Sequence, residues 1–227
     1  MRIGILVSGI VGQTLGLKLV QLGHTVSLGT RDPSKLDEKK GRGPSQRSLR
    51  EWLAATADER ARVGTFRDAA AHGELLINAV SGAASLDALS AAGVDQLNGK
   101  TLIDVSNPVD ASRGLPLTLF VKDTDSLGET LQRTFPTVRV VKTLNTVFAA
   151  IMVNPALVAD GEHTVFVSGN DPQAKAQTIG LLREFGWRDI LDLGDLSTAR
   201  GTEMMLSIGH AVARALGPTR FNFRVVR

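Results

Sequence analysis

Gly9 and Gly12 sit three residues apart in the opening stretch MRIGILVSGIVGQTLGLKLV. An apolar strand running into a glycine turn and then a helix is the arrangement that grips a dinucleotide pyrophosphate. The free N–H groups and positive dipole end of the helix attract phosphate. The fingerprint G-x-G-x-x-G falls on Val7-Ser8-Gly9-Ile10-Val11-Gly12. Its second glycine lets backbone approach the pyrophosphate and its third lets helix pack on strand. Both are present, while the first, at the tight turn, is Val7. A partial fingerprint is weak by itself. The strand before it, the helix after it and a second strand at the expected distance give it weight. That second strand ends in Thr30 and Arg31, with Lys35 close behind. A hydroxyl and a guanidinium suit the 2′-phosphate of NADP, where an acidic residue would suit the ribose of NAD. Counting from Gly12 lands on Asp32, but Asp32 precedes Pro33 and is expected to turn into the bend. The residues therefore favour NADP.

Other chemistries lack their residues. No cysteine is present, which excludes disulfides, thiolate metal sites and a cysteine nucleophile. The histidines, His24, His72, His163 and His210, show no metal-ligand spacing, so no metal is expected. Neither a G-x-S-x-G elbow nor a G-x-x-x-x-G-K-[ST] loop occurs. Asp192, Asp195 and Glu203 suit capping and salt bridging. Hydride transfer between a nicotinamide and a flat acceptor needs orientation and exclusion of water, and no nucleophile. Reduction of a plain ketone or imine would also want a proton donor. Tyrosine is absent, and Lys142, just before Thr143-Leu144-Asn145, is the best remaining candidate. The catalytic residues stay unassigned, with Asn145, Asn107 and Lys142 as pocket candidates.

The elements that must position these residues alternate between strand and helix. Strands are expected at Ile3–Val7, Thr25–Leu28, Leu75–Val80, Leu102–Val105, Val138–Val141, Thr164–Ser168 and Ile190–Leu193. Helices are expected at about Val11–Leu22, Ser48–Thr56, Thr65–Ala71, Ser126–Phe135, Pro172–Phe185 and Ser197–Leu216. The alternation predicts an α/β fold, a Rossmann-type doubly wound and mostly parallel sheet with a C-terminal helix. Residues 1–227 are expected to form a single NAD(P)-binding domain, with an extension from about 164 to 227 completing the pocket. Ligands of such sheets bind at the carboxyl ends of strands, near the switch in strand order. That places the acceptor beside Asn107, Pro108 and Asn145.

Composition narrows the partners. Apolar residues make up 43% of the chain, and the net charge is +3. Basic residues 39–50 are diluted by Asp37 and Glu38. With few aromatics to stack bases, nucleic-acid binding is not expected. No signal-peptide pattern or membrane-length apolar run is seen, so a cytoplasmic protein without membrane attachment is expected. The apolar face of the last helix is wider than one sheet contact needs, and the tail RFNFRVVR alternates like an edge strand. A homodimer through this helix and tail is expected.

The chain resembles the NADP-dependent oxidoreductases of the deazaflavin (coenzyme F420) type, and is similar to the cytosolic domains of six-transmembrane metalloreductases. The resemblance rests on Leu28-Gly29-Thr30-Arg31-Asp32-Pro33 and on Asp104-Val105-Ser106-Asn107-Pro108, followed by Ser112-Arg113-Gly114. It also rests on Lys142-Thr143-Leu144-Asn145-Thr146 and on Asp192 to Arg200 with Glu203. It implies that Ser8, Gly9, Ile10, Val11 and Gly12 wrap the pyrophosphate and nicotinamide side. Thr30, Arg31 and Lys35 would hold the 2′-phosphate. Val80, Ser81, Asn107 and Pro108 would line the nicotinamide. The acceptor implied is F420, a flavin or a similar flat molecule. The family's pocket histidine is replaced here by Asn145. That leaves open another small acceptor such as an imine or quinone, and Val7 leaves open a non-catalytic dinucleotide sensor.

Overall fold

A computed structural model describes residues 1–7, 9–37, 47–56, 59–112 and 114–227. The chain opens with β1 (Arg2–Val7), α1 (Ile10–Gln21) and β2 (Thr25–Thr30), followed by α2 (Leu49–Thr56), β3 (Ala61–Thr65), α3 (Phe66–His72) and β4 (Leu75–Ala79). Next come α4 (Ser85–Ala92), α5 (Val94–Leu97), β5 (Thr101–Asp104), and a two-stranded ribbon, β6 (Val109–Asp110) with β7 (Thr118–Leu119). The remainder is α6 (Leu127–Thr134), β8 (Arg139–Thr143), α7 (Ala149–Met152), β9 (Thr164–Gly169), α8 (Pro172–Glu184), β10 (Asp189–Asp192) and α9 (Ala199–Leu216).

The main sheet has the order β10-β9-β8-β5-β4-β1-β2-β3. The order reverses at β1, where the chain leaves for β2 and β3 and returns to β4 on the other side. This is the doubly wound Rossmann-type arrangement. Strands buried on both faces need unbroken apolar runs. Ile3, Ile5, Leu6 and Val7 in β1, and Leu75, Leu76 and Ile77 in β4, supply them. Two apolar cores cover the sheet faces. One packs α1, α2, α7 and α8 around Leu15, Trp52 and Trp187, and the other packs α3, α4 and α6 around Leu89, Leu102 and Leu131.

Helix starts follow the signals in the chain. Thr65 and Asp68 form a capping box at α3, Ser126 accepts from the Glu129 N–H at α6, and Asp171 caps α8 ahead of Pro172. The structure differs from expectation in several places. The strand β3 is an addition, half-exposed and interrupted by Arg62 and Gly64, so its sequence carries no apolar run. The helices α4 and α5 are additions too. The strand β9 pairs antiparallel with β8. Its connection from β8 holds the four-residue α7 and short 3-10 turns in place of a full crossover helix. The C-terminal tail is not a strand. It folds back on its own chain, where Thr164 N–H donates to the Phe223 carbonyl at 3.0 Å and Val225 N–H donates to Thr164 Oγ1 at 2.9 Å.

Candidate functional site

The strands β1, β4, β5 and β8 run parallel, so their carboxyl ends share one edge of the sheet. After β1, Gly9 is the N-cap of α1 in an extended conformation, with no side-chain cap among the described residues. A Cβ at Gly9 would meet nothing within 4 Å among the described residues. The first-turn N–H groups of an α-helix have no intrahelical acceptor, so those of Ile10, Val11 and Gly12 are the donors that a phosphate at this turn would use. Ser8 lies outside the described residues. Val7, in place of the first fingerprint glycine, is buried, and a Cβ on Gly12 would sit 2.2 Å from its Cγ2. Gly12 is therefore required by the valine methyl, and the turn closes around it.

At the end of β2, Thr30 is buried and Arg31 is exposed. Lys35 closes a short 3-10 turn over Pro33–Lys35. Asp32 Oδ1 accepts from the Ser34 N–H at 3.0 Å and from Ser34 Oγ at 2.6 Å, so the carboxylate bends into its own turn as expected. Of the basic residues noted at 39–50, Lys39, Lys40 and Arg42 fall outside the described residues, as does Arg113.

Beyond β4, Val80 is buried and Ser81 exposed. A Cβ on Gly82 would lie 2.1 Å from the Asn107 carbonyl oxygen, so glycine lets this loop rest on the one after β5. Pro108 is buried, and its carbonyl accepts from Phe120 N–H at 2.9 Å. After β8, Leu144 adopts φ 61°. A left-handed conformation is strained for leucine, and such strain clusters at functional sites. It immediately precedes Asn145. Asn145 Nδ2 donates to Asn107 Oδ1 at 3.0 Å and to the Thr202 carbonyl at 2.9 Å, while Asn107 Nδ2 donates to the Asn145 carbonyl at 2.7 Å. The two asparagines lock each other and tie both loops to α9.

Beside this pair opens a largely apolar cleft of about 270 Å³. Val11 from the first turn of α1 lines one side, Asn107 and Asn145 another, and Met205 and His210 of α9 a third. Phe148 and Phe221 flank it in edge-to-face contact, with ring centroids 5.3 Å apart. The cleft thus combines aromatic surface with neutral polar groups.

Lys142 does not line that cleft. Its ammonium is wholly buried, 2.7 Å from Asp104 Oδ2, 2.8 Å from Glu203 Oε1 and 2.7 Å from the Ser106 carbonyl. Burial opposes the charge, but the two carboxylates outweigh it and hold the ammonium's pKa above its ordinary value. Expected as a proton donor, Lys142 is instead locked in its charged form, away from solvent. Asp104 Oδ1 also accepts from Asn78 Nδ2 at 2.8 Å and Ser106 Oγ at 2.7 Å. Glu203 accepts from the N–H groups of Leu127 and Gly128 at 2.8 and 3.1 Å. The surplus negative charge of the triad thus rests on the positive end of α6. Asp195 caps the turn before α9, and Asp192 pairs with Lys175, both as expected.

The remaining histidines lie elsewhere. His24 bonds Glu184 at 2.8 Å, His72 meets the Thr25 carbonyl at 3.2 Å, and His163 bonds the Pro155 carbonyl at 2.9 Å. No cluster of metal-ligating side chains exists among the described residues. Within the described residues, no helix is long and apolar enough to cross a membrane. Sequence reasoning missed Asn78, Phe148, Phe221 and the cleft position of His210. A signal existed for the buried network, since Asn78, Asp104 and Lys142 each follow a short apolar run near the carboxyl end of a strand.

Comparison with known proteins gives a consistent result. The family model for coenzyme F420-dependent NADP oxidoreductases matches residues 2–108. A crystal structure from Arthrobacter sp. FB24, assigned as an F420-dependent NADP reductase, is 47% identical and covers the whole of both chains with a TM-score of 0.93. Metalloreductase STEAP3 of Rattus norvegicus is 31% identical over 204 residues, 89% of this chain; the chain spans only 36% of that relative's length. An imine reductase from Aspergillus terreus, solved with NADPH4 and dibenz[c,e]azepine, shares the fold at a TM-score of 0.62 and 16% identity. It matches 94% of this chain and 62% of that one.

Proposed function

The chain belongs to the family of coenzyme F420-dependent NADP oxidoreductases, and on that premise we propose that it transfers hydride between NADP(H) and a flat conjugated acceptor held in the cleft between α1 and α9. The acceptor class is a deazaflavin such as F420, or a flavin. One observation carries this reading. Val11 belongs both to the uncapped first turn of α1 and to the wall of the aromatic-flanked cleft, so a dinucleotide on that turn reaches the acceptor directly.

When bound, NADPH supplies the hydride. The protein's part is binding and alignment. Ser8, Gly9, Ile10, Val11 and Gly12 hold the pyrophosphate, with the N–H groups of α1 facing it. Thr30, Arg31 and Lys35 hold the 2′-phosphate. Val80, Ser81, Asn107 and Pro108 border the nicotinamide, and the Asn107–Asn145 pair fixes the two loops that orient it. The segment from about 164 to 227 completes the pocket, through α9 and Phe221, within one domain.

The test is a calorimetric titration with NADPH and NADH, followed by a turnover screen against deazaflavin, FMN, FAD, quinones and cyclic imines. Tighter NADPH binding and turnover of a deazaflavin or flavin are expected. Equal or tighter NADH binding overturns the cofactor assignment. Turnover only of quinones or imines moves the acceptor to that class. Binding without any turnover leaves a sensor.

A further inference from the structure

His210 is the one titratable side chain among the described residues that line the cleft. It is half-buried on α9, with Gly209 before it and Ala213 one turn further on along the same wall. Its Nδ1 lies 2.9 Å from the Leu206 carbonyl, one turn back in the helix. A carbonyl only accepts, so Nδ1 carries the hydrogen. That contact fixes the ring and its tautomer. Nε2 has no hydrogen-bond partner among the described residues. In the neutral ring Nε2 is an acceptor, and in the imidazolium it is a donor. The other walls bring only apolar and neutral polar groups, including Asn107, Asn145, Thr146 and Phe148. The nearest charged residues along the chain are Arg214, one turn on in α9, and Glu203, two turns back and engaged by Lys142, while Arg220 adjoins Phe221.

A flat acceptor of the deazaflavin or flavin class takes up more than a hydride. Two electrons and one hydrogen arrive as hydride, and a ring heteroatom conjugated to that position becomes basic and needs a proton. Building on the function proposed above, we propose that His210 is the catalytic acid of the cleft. The imidazolium gives its Nε2 proton to that heteroatom as the hydride arrives, is left neutral, and regains a proton from water at its exposed edge. The sum is NADPH, acceptor and one proton going to NADP+ and the two-electron-reduced acceptor. In the reverse direction neutral His210 accepts the proton. Buried Lys142 cannot serve, because its protons are engaged by Asp104, Glu203 and the Ser106 carbonyl.

The test compares wild type with His210→Gln, which keeps a polar side chain of similar reach but cannot titrate. Two readouts are used. Steady-state reduction of FMN and of F420 by NADPH is followed from pH 5.5 to 9. In parallel, the full-length protein with isotopically labelled histidine is titrated with FMN, and the ring signals are followed by NMR. For wild type the expected result is a kcat that falls as pH rises across this range. FMN should shift the His210 ring signals and leave those of His24, His72 and His163 in place. For the variant, kcat should fall at least about tenfold and the pH dependence should vanish, with NADPH affinity unchanged within about twofold. A variant with wild-type kcat and the same pH profile overturns the inference and leaves the proposed function intact. So do His210 signals that stay fixed while FMN is being turned over. Wild-type protein that neither binds nor reduces any acceptor overturns the proposed function, and the inference with it.

Discussion

Lys142 shows how environment sets a residue's part. Its position beside the expected pocket suggests a proton donor, yet its ammonium is engaged on all three sides by buried acceptors. Removing one partner of a buried ion pair leaves the others uncompensated, a loss of about 3–5 kcal/mol. Lys142→Met should therefore lower unfolding free energy by about that much in urea titrations, since Asp104 and Glu203 are left facing each other. A variant of near wild-type stability would refute this account of the triad. At the cofactor end, Arg31 is exposed and follows β2 directly. Arg31→Ala should weaken NADPH by about 1–3 kcal/mol, the range for a hydrogen bond to a charged group, with little change for NADH. Equal losses for both cofactors, read by calorimetry, would remove the 2′-phosphate from its role.

At the scale of elements, the contact between β1 and α1 explains the odd fingerprint. Val7 fills the space that a Cβ on Gly12 would need. Gly12→Ala should cost about 1–3 kcal/mol by overpacking, and Val7→Gly in the same chain should recover part of that loss. Strictly additive losses in the double variant would show that the two positions do not compete for space. The pairing of α6 with α9 makes a second element-level prediction. Arg200 bonds Glu129 through two nitrogens, at 2.8 and 2.5 Å. That hydrogen bond holds the Glu129 carboxyl below its ordinary pKa, with Ser126 adding to it against the cost of burial. A depressed folded-state value means stability that is present above the unfolded glutamate pKa, about 4.3, and lost as pH falls through the folded value. The Tm gap between wild type and Glu129→Gln should therefore be widest near neutrality and close below about pH 4. A gap independent of pH would assign the effect to packing.

At the scale of the molecule, α9 links the sheet, the cleft and the surface. Its first turns are buried at Ala199, Thr202 and Glu203, whereas Met204, Ile208 and Leu216 are 37%, 51% and 52% exposed. These exposed apolar residues are the surface that a second copy is expected to cover. A two-fold homodimer through α9 is expected, with the cleft near the subunit boundary. The tail is anchored to its own chain, with Asn222 Nδ2 donating to the Thr164 carbonyl at 3.1 Å and Arg227 reaching Asp189 at 2.7 Å. The helix, and not an edge strand, should therefore carry the contact. Light scattering should report a dimer at micromolar concentration that Ile208→Asp dissociates. A monomeric wild type would end this expectation.

The order and type of most elements follow from the amino-acid sequence by itself. Apolar β-branched runs, capping residues such as Thr65 and Asp171, and the spacing of Gly9 and Gly12 act locally, so a local pattern records them. The same holds for the edge of the sheet where ligands bind, because alternating strands and helices leave one right-handed way to wind. What tertiary structure decided involves partners far apart in the chain. Glu203 meets Lys142 and the start of α6 only because α9 packs back across β8 and α6. Residues 145 and 107 interlock across two loops. Phe148 and Phe221 come together only once the tail has folded onto β9. An edge strand was expected from the tail's alternation because that pattern reports two faces and not what covers them. Here Thr164 and Asp189, at the starts of β9 and β10, hold the tail.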